Sequence, residues 1–96
     1  MPRVVRVGTP GAKYIGRGDK WGNRYRIGRD GTRADVIVKH KRDLANNDEL
    51  FDALDELKGQ DLGCFCEPEP CHGDILLLLA NASPEARARW RERWRS

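Results

Sequence analysis

Residues 74–82 are apolar around almost the whole circumference of the helix that they predict, with the run ILLLL at its centre. A helix without a polar face has to be buried against other elements. Directly upstream, residues 62–66, LGCFC, predict a buried strand. A buried strand that leads into a buried helix is a building unit of α/β domains, so this pair constrains the fold more than any other part of the chain.

Further strands are predicted near the N-terminus. Residues 3–7 are rich in valine and predict a short strand, and residues 14–15 and 25–27 predict short strand pieces within a glycine-rich stretch. Because the segments between residues 7 and 62 include helices, we expect strands 3–7 and 62–66 to pair in parallel.

Further helices are predicted from their end signals. Thr32 is a suitable N-cap for a helix over residues 33–45, with a carboxylate three positions on. Another helix begins near residue 47 or 48 and ends at Gly59. A last helix begins with Ser83 as its N-cap and a proline in its first turn.

These elements predict an α/β fold, a small single domain over residues 3–82 with a short parallel or mixed sheet covered by helices. A basic helix over residues 83–96 follows it. A chain of 96 residues is long enough for one domain and not for two. Its core is small, so a structural metal or a partner subunit would add to its stability.

The net charge of +3 conceals a strong asymmetry along the chain. Residues 1–42 carry twelve Lys and Arg against three Asp and Glu, residues 43–82 carry one against ten, and residues 83–96 carry five against two. A basic N-terminal half can attract a phosphate, a nucleotide or a nucleic acid. The alternative is that the basic and acidic blocks neutralise each other across the fold.

Composition also narrows the class of protein. The longest apolar run is far shorter than the ~20 residues of a membrane span, so we expect no membrane partner. The N-terminus lacks the apolar stretch of a secretory signal, and three cysteines are an odd count for a disulfide framework. These features predict a cytoplasmic protein with reduced thiols.

A cluster of soft side chains is the main candidate site. All three cysteines and one of the two histidines fall within nine residues, as Cys64, Cys66, Cys71 and His72. Alternation along a strand places Cys64 and Cys66 on one face, and Cys71 and His72 follow at the start of the next helix. Three thiolates and one imidazole are a standard zinc set, and a zinc ion would add folding free energy to so small a domain.

The same cluster supports two other interpretations. Backbone N–H groups at a helix N-terminus attract anions and favour the thiolate form of a cysteine. Cys71 and His72 are then candidate catalytic residues, with Cys71 as the nucleophile. Alternatively the cluster is structural only, with Cys64 and Cys66 as small buried side chains.

A glycine-rich loop over residues 16–29 carries the other candidate site residues. Glycines permit close backbone approach, arginines bind phosphate through two hydrogen bonds, and aromatic rings stack on bases. The alternative is a solvated loop with Trp21 in the core. The candidate ligand-binding residues are Arg17, Lys20, Trp21, Asn23, Arg24 and, in the helix after the cysteines, Asp74.

Two hypotheses about function follow. In the first, the loop and the Cys71-His72 helix start form one pocket for a phosphorylated or nucleotide-like anion. In the second, Cys64, Cys66, Cys71 and His72 hold zinc in a module whose basic surfaces contact nucleic acid or protein. The residues leave open whether any reaction is catalysed.

The motifs taken together resemble a known family. YIGRG at residues 14–18 and KWGN at 20–23, with LGCFC at 62–66 and CHGD at 71–74, are similar to the bacterial and phage family called domain of unknown function 4326. The resemblance covers residues 3–82 and implies no established activity. Family members commonly have Gly-Asn-Pro-Phe where this chain has GNRY at residues 22–25, so we expect a less rigid loop here.

The remaining features lie on helices. Trp90 and Trp94, four positions apart, share one face of the last helix, which we expect to pack against the domain or a second copy of it. The alternative for this arginine-rich helix is a contact with nucleic acid. His40 lies in a basic stretch, and we expect it on a helix surface without a functional role.

Overall fold

A computed structural model describes residues 2–16, 18–64 and 72–95. Within them, β1 (Val4–Arg6), β2 (Lys13–Tyr14) and β3 (Leu62–Cys64) form a parallel sheet in the order β1-β3-β2. Leu62 is the register partner of both Val4 and Lys13, so β3 is the central strand. The predicted α/β class and the parallel pairing of the first and last strands are confirmed.

Helices follow the first two strands and the last one. They are α1 (Arg33–Ala45), α2 (Asp48–Asp52), a 3₁₀ helix (Ala53–Leu57), α3 (His72–Ala80) and α4 (Pro84–Trp94). In the part of the chain that the structure describes, no helix combines the length and the apolar content that a membrane span requires.

Polar side chains fix where the helices begin. The Thr32 hydroxyl accepts from the backbone N–H of Asp35, and the Asp35 carboxylate accepts from the N–H of Thr32, which forms the predicted capping box of α1. Asn47 caps α2, and Ser83 caps α4, in the same way with their side-chain oxygens. Each cap satisfies backbone donors that a helix start leaves without an intrahelical partner.

The core lies between the sheet and the helices, with α3 packed against β3, α1 and the 3₁₀ helix. The apolar run of α3 is buried at Ile75, Leu76 and Leu79, whereas Leu78 is 62% exposed. Other fully buried side chains come from the loop after β2, from α1, from the 3₁₀ helix and from β3; they include Ile15, Trp21, Leu44, Leu54, Leu57 and Leu62.

Helix α4 is anchored to the rest of the domain. The ring of Trp90 stacks on that of Phe51, with the centroids 6.2 Å apart. Arg87 donates to the carbonyl oxygens of Leu79 and Ala80 at the end of α3, and Arg91 donates to a carbonyl at the end of α1. Because the last carbonyls of a helix have no intrahelical donor, α4 acts as a C-terminal cap for two helices.

Ion pairs connect the basic and acidic blocks of the chain. Acidic side chains of residues 43–56 face cations both from the N-terminal loop and from α4. This pattern supports mutual neutralisation, although each exposed pair contributes only about 0–1 kcal/mol. The pairs are Lys20–Glu56, Arg24–Asp43, Arg87–Asp55, Arg91–Asp48 and Arg95–Asp48.

Residues 25–27 lie outside any strand, so the strand piece predicted there is wrong. The chain turns instead, because the backbone N–H of Arg26 donates to the Asp30 carboxylate at 2.8 Å and the N–H of Asp30 donates to the Arg26 carbonyl at 2.8 Å. The turn closes with Gly28 at φ 95° and Gly31 at φ 128°, conformations that favour glycine.

Candidate functional site

His72 lies where the carboxyl edge of the sheet meets the first residue of α3. Its side chain is 6% exposed, and its Nε2 lies 2.7 Å from the carbonyl oxygen of Ile15, directly after β2. Because a carbonyl only accepts, Nε2 donates in this hydrogen bond and Nδ1 is left as the acceptor of the neutral ring. The contact joins the start of the glycine-rich loop to the start of α3.

His40 is the second imidazole of this region, and its expected surface position is wrong. It is 5% exposed, and its ring centroid lies 4.9 Å from that of His72. Burial, and to a smaller extent the nearby His72, lower the pKa of His40 to about 3, while a hydrogen bond with the backbone of Trp21 acts in the opposite direction. His40 is therefore neutral at physiological pH.

Two buried polar atoms of this region are unsatisfied. Nδ1 of His40 and Nε1 of Trp21 have no hydrogen-bond partner among the residues that the structure describes. Leaving such an atom unpaired costs about 1–3 kcal/mol. An indole Nε1 only donates, whereas a neutral imidazole offers one donor and one acceptor, so the pair suits a ligand that carries both kinds of group.

A tight turn drives Trp21 into the core. The N–H of Asp19 donates to the Gly16 carbonyl, the N–H of Gly22 donates to the Asp19 carbonyl, and the Asp19 carboxylate accepts from the N–H of Trp21 at 3.0 Å. The Trp21 side chain is fully buried as a result. It has no exposed face on which a base could stack, so only its buried Nε1 is left as a candidate ligand contact.

Three described cations of the loop, Lys20, Arg24 and Arg29, already have acidic partners. Lys20 Nζ lies 2.6 Å from Glu56, and Arg24 Nε lies 2.9 Å from Asp43. Arg24 also donates to the hydroxyl of Tyr25 at 2.9 Å. A phosphate would have to compete with these carboxylates, which is feasible because exposed ion pairs are weak.

Asn23 holds the loop in place. Its amide nitrogen donates to the carbonyl of Val36 in α1 at 3.0 Å, and its amide oxygen accepts from the N–H of Tyr25 at 3.0 Å. Both functions of the side chain are therefore used within the protein. Asp74 is exposed in the first turn of α3, where a carboxylate is favourable to the helix dipole.

The predicted thiol cluster is described only in part. Cys64 is buried in β3. Arg17, Cys66 and Cys71 lie outside the described residues. Within the residues that are described, no three His, Cys, Asp or Glu side chains are grouped so as to hold a metal ion.

The family follows from a comparison of the sequence. A family profile described as "Domain of unknown function (DUF4326)" matches residues 5–82. The chain belongs to this family. The resemblance seen in the motifs is thereby confirmed, and α4 lies beyond the part of the chain that the DUF4326 profile covers.

A phage protein is similar to this DUF4326 chain. It is the "Uncharacterized 12.4 kDa protein in nrdA-td intergenic region" of Enterobacteria phage T4, 42% identical over 72 residues. The match covers 70% of this chain and 65% of the phage protein, less than two thirds of the relative's length. No solved structure shows a significant match to the chain.

His40 is the residue of the site that the sequence analysis missed. A signal was present, because His40 lies four positions after Val36 and four before Leu44, and side chains at that spacing share one face of a helix. All three are buried in the structure. The basic neighbours at positions 39, 41 and 42 concealed this apolar face.

Proposed function

We propose that this domain binds a small phosphorylated or nucleotide-like ligand at the carboxyl edge of its sheet, beside His40 and His72. The observation that carries the proposal is the 2.7 Å contact between His72 Nε2 and the Ile15 carbonyl. It makes the glycine-rich loop and the start of α3 neighbours, which is the arrangement that a shared pocket needs.

The position in the fold supports this proposal. In open parallel sheets, ligands bind beyond the carboxyl ends of the strands, where the chain leaves the sheet in different directions. Here β2 leads into the loop that contains Trp21, and His72 begins the helix that follows β3.

The polar groups support a ligand with mixed hydrogen-bonding character. Nδ1 of His40 and Nε1–H of Trp21, which have no partner among the described residues, are both buried, where a hydrogen bond to a ligand is worth more than at the surface. A nucleotide carries both acceptors and donors. The positive end of the α3 dipole at His72 adds a preference for an anionic group.

Cys71 is the proposed nucleophile of this site, with His72 as its catalytic neighbour. The assignment rests on the position of Cys71 directly before α3, since a helix start favours a thiolate. His72 keeps Nδ1 as an acceptor because Nε2 is bound to Ile15.

Titration calorimetry on the full chain tests the binding proposal. The ligands are inorganic phosphate, a nucleoside, its monophosphate and its triphosphate. We expect binding of the nucleotides, and at least about tenfold weaker binding by His40→Gln and by Trp21→Phe, which removes only the Nε1–H and part of the ring.

Val36→Ala is the matched control, because it also truncates a buried side chain on the same face of α1 but removes no polar group. Circular dichroism establishes that each variant is folded. If folded wild-type protein binds none of these compounds, or if Val36→Ala weakens binding as much as His40→Gln does, the proposed pocket is wrong.

A zinc-stabilised module is the second candidate, and the geometry of His72 favours it. A metal-binding histidine commonly donates its other ring nitrogen to a carbonyl, as His72 Nε2 does to Ile15. Cys64, Cys66, Cys71 and His72 are the proposed ligands.

Metal analysis of protein purified without chelator separates the two candidates. The zinc candidate predicts about one zinc per chain, a lower melting temperature with EDTA, and loss of the metal in Cys66→Ser. A stable metal-free chain whose Cys71 is alkylated rapidly contradicts it.

A further inference from the structure

A groove on the outside of the domain is formed where α4 ends beside α1. Its volume is about 530 Å³, and Arg42, Arg93, Trp94 and Arg95 line it. Arg42 belongs to the last turn of α1, and the other three residues are the end of α4 and the residue after it. None of these side chains belongs to the site beside His40 and His72.

The arginines around the groove differ in their pairing. Arg87, Arg91 and Arg95 are paired with acids, Arg95 with Asp48 at 3.0 Å. Arg42 and Arg93 are exposed and make no ion pair with any residue that the structure describes. Among the described residues, the groove therefore holds two guanidinium groups without an acidic partner and a third whose partner is exposed.

An aromatic ring is held among these cations. Trp94 is half-buried, with the ring of Trp90 at a centroid distance of 6.3 Å and Lys41 Nζ 4.9 Å from its centre. Such a ring is fixed in position and partly open to the groove. Lys41 and the lining arginines place positive charge beside this ring, and Asp48 is paired with Arg91 and Arg95.

We propose that this groove binds single-stranded nucleic acid, with phosphates on Arg42 and Arg93 and a base against Trp94. Guanidinium groups bind phosphate oxygens through paired hydrogen bonds, and aromatic side chains stack on unpaired bases. A duplex hides its base faces inside the stack, and the carboxylates of an acidic peptide are not attached to a ring that could stack on Trp94. The combination of free arginines and an indole therefore favours a single strand over either.

Fluorescence anisotropy with a labelled single strand of about 12 nucleotides, as DNA and as RNA, tests the proposal. We expect the double variant Arg42→Ala/Arg93→Ala to bind at least about tenfold more weakly, and Trp94→Leu to weaken binding about three- to tenfold. The slope of log affinity against log salt should be about 0.7 smaller for each arginine removed.

Arg89→Ala is the matched control. It removes one positive charge from the same exposed helix as Arg93, one turn before the groove, whereas the double variant removes two, and Arg89 does not line the groove. We expect its affinity to change by less than about twofold. Arg42 and Arg93 are exposed, so the melting temperature of the double variant should stay close to that of the wild type, and circular dichroism establishes that Trp94→Leu is folded.

Several results would overturn this inference. The inference is wrong if the wild type binds no single strand at low salt, or if it binds heparin or a duplex as tightly as a single strand. It is also wrong if Arg89→Ala loses as much affinity as the double variant, or if Trp94→Leu keeps the affinity of the wild type. The groove variants should leave nucleotide binding at the His40 and His72 site unchanged, and His40→Gln should leave strand binding unchanged. Failure of one proposal is therefore distinguishable from failure of the other.

Discussion

The imidazole rings of His40 and His72 lie with their centroids 4.9 Å apart inside the fold. His40 comes from the middle of α1, and His72 is the first residue of α3. Burial, and to a smaller extent the nearby His72, disfavour a proton on His40, because its charge would be poorly solvated. The fold is therefore stabilised with His40 neutral.

Stability should fall as the pH drops below the ordinary histidine range. The pKa of His40 is about 3 in the folded protein, against 6.5 as its reference value. Since the unfolded chain then binds more protons than the folded one, the contribution is complete above about pH 6.5 and is lost on the way down to about pH 3. We expect urea denaturation to give a free energy of unfolding about 2 kcal/mol lower at pH 5 than at pH 7.

Comparing the wild type with His40→Gln shows whether His40 causes this loss of stability at low pH. The variant keeps His72 and every carboxylate, so the difference between the two pH profiles isolates His40. We expect a flatter profile between about pH 7 and pH 5, whatever the absolute stability of the variant. Parallel profiles of wild type and variant would show that His40 is accessible to protons in the folded chain.

The local parts of the fold could be predicted from the sequence. The N-caps at Thr32 and Ser83 mark helices that begin one residue later, because capping depends on a few neighbouring residues. The buried strand before α3 was equally visible, since both of its faces are apolar. The parallel pairing followed from the helices between the strands.

The site depended on contacts between distant parts of the chain. The approach of His72 to Ile15 spans 57 positions and leaves no local signal. Lys20 pairs with Glu56 in the 3₁₀ helix, and Arg24 pairs with Asp43 in α1. The sequence therefore showed that the loop is rich in cations, but it could not show which acids neutralise them. The burial of Trp21 depends on the turn over residues 16–22, for which the glycines of this segment were the only signal in the sequence.

Arg87 should contribute more to stability than an exposed arginine of α4 such as Arg89. Its side chain is 14% exposed and donates to two carbonyls at the end of α3, and it also pairs with Asp55. Arg87→Met keeps the aliphatic stem but leaves those carbonyls without this donor. We expect a loss of about 1–3 kcal/mol in the free energy of unfolding by urea denaturation.

Arg89→Met is the control for that measurement, since Arg89 is exposed on the same helix. A surface change of this kind usually stays within about 0.5 kcal/mol. Equal stability of the two variants would mean that α4 does not cap α3 in solution.

Gly22 should tolerate no side chain. A Cβ placed there would lie 2.5 Å from the backbone oxygen of Gly16, and a backbone atom in a tight turn cannot move aside cheaply. Gly63, in the central strand, has its nearest neighbours at 3.6 Å or more. We expect Gly22→Ala to lower the free energy of unfolding by about 1–3 kcal/mol, and Gly63→Ala to cost clearly less. The reverse order in thermal denaturation would contradict the turn that buries Trp21.

Asn23 should stabilise the position of the loop through the two hydrogen bonds of its amide, and not through contact with a ligand. Its nitrogen donates to the Val36 carbonyl, so Asn23→Asp replaces this donor with a charged oxygen that faces another oxygen. We expect a loss of about 1–3 kcal/mol in the free energy of unfolding by urea at neutral pH, because a partly buried acceptor is left unpaired beside a carboxylate.

Asn46→Asp is the control for this measurement. Asn46 also donates to a backbone carbonyl, that of Arg42, but Asn46 is exposed, so water can replace the hydrogen bond at a cost below about 1 kcal/mol. Equal losses of stability in the two variants would contradict the conclusion that Asn23 holds the loop against α1. The neighbouring Gly22 would then be the main determinant of the loop's position.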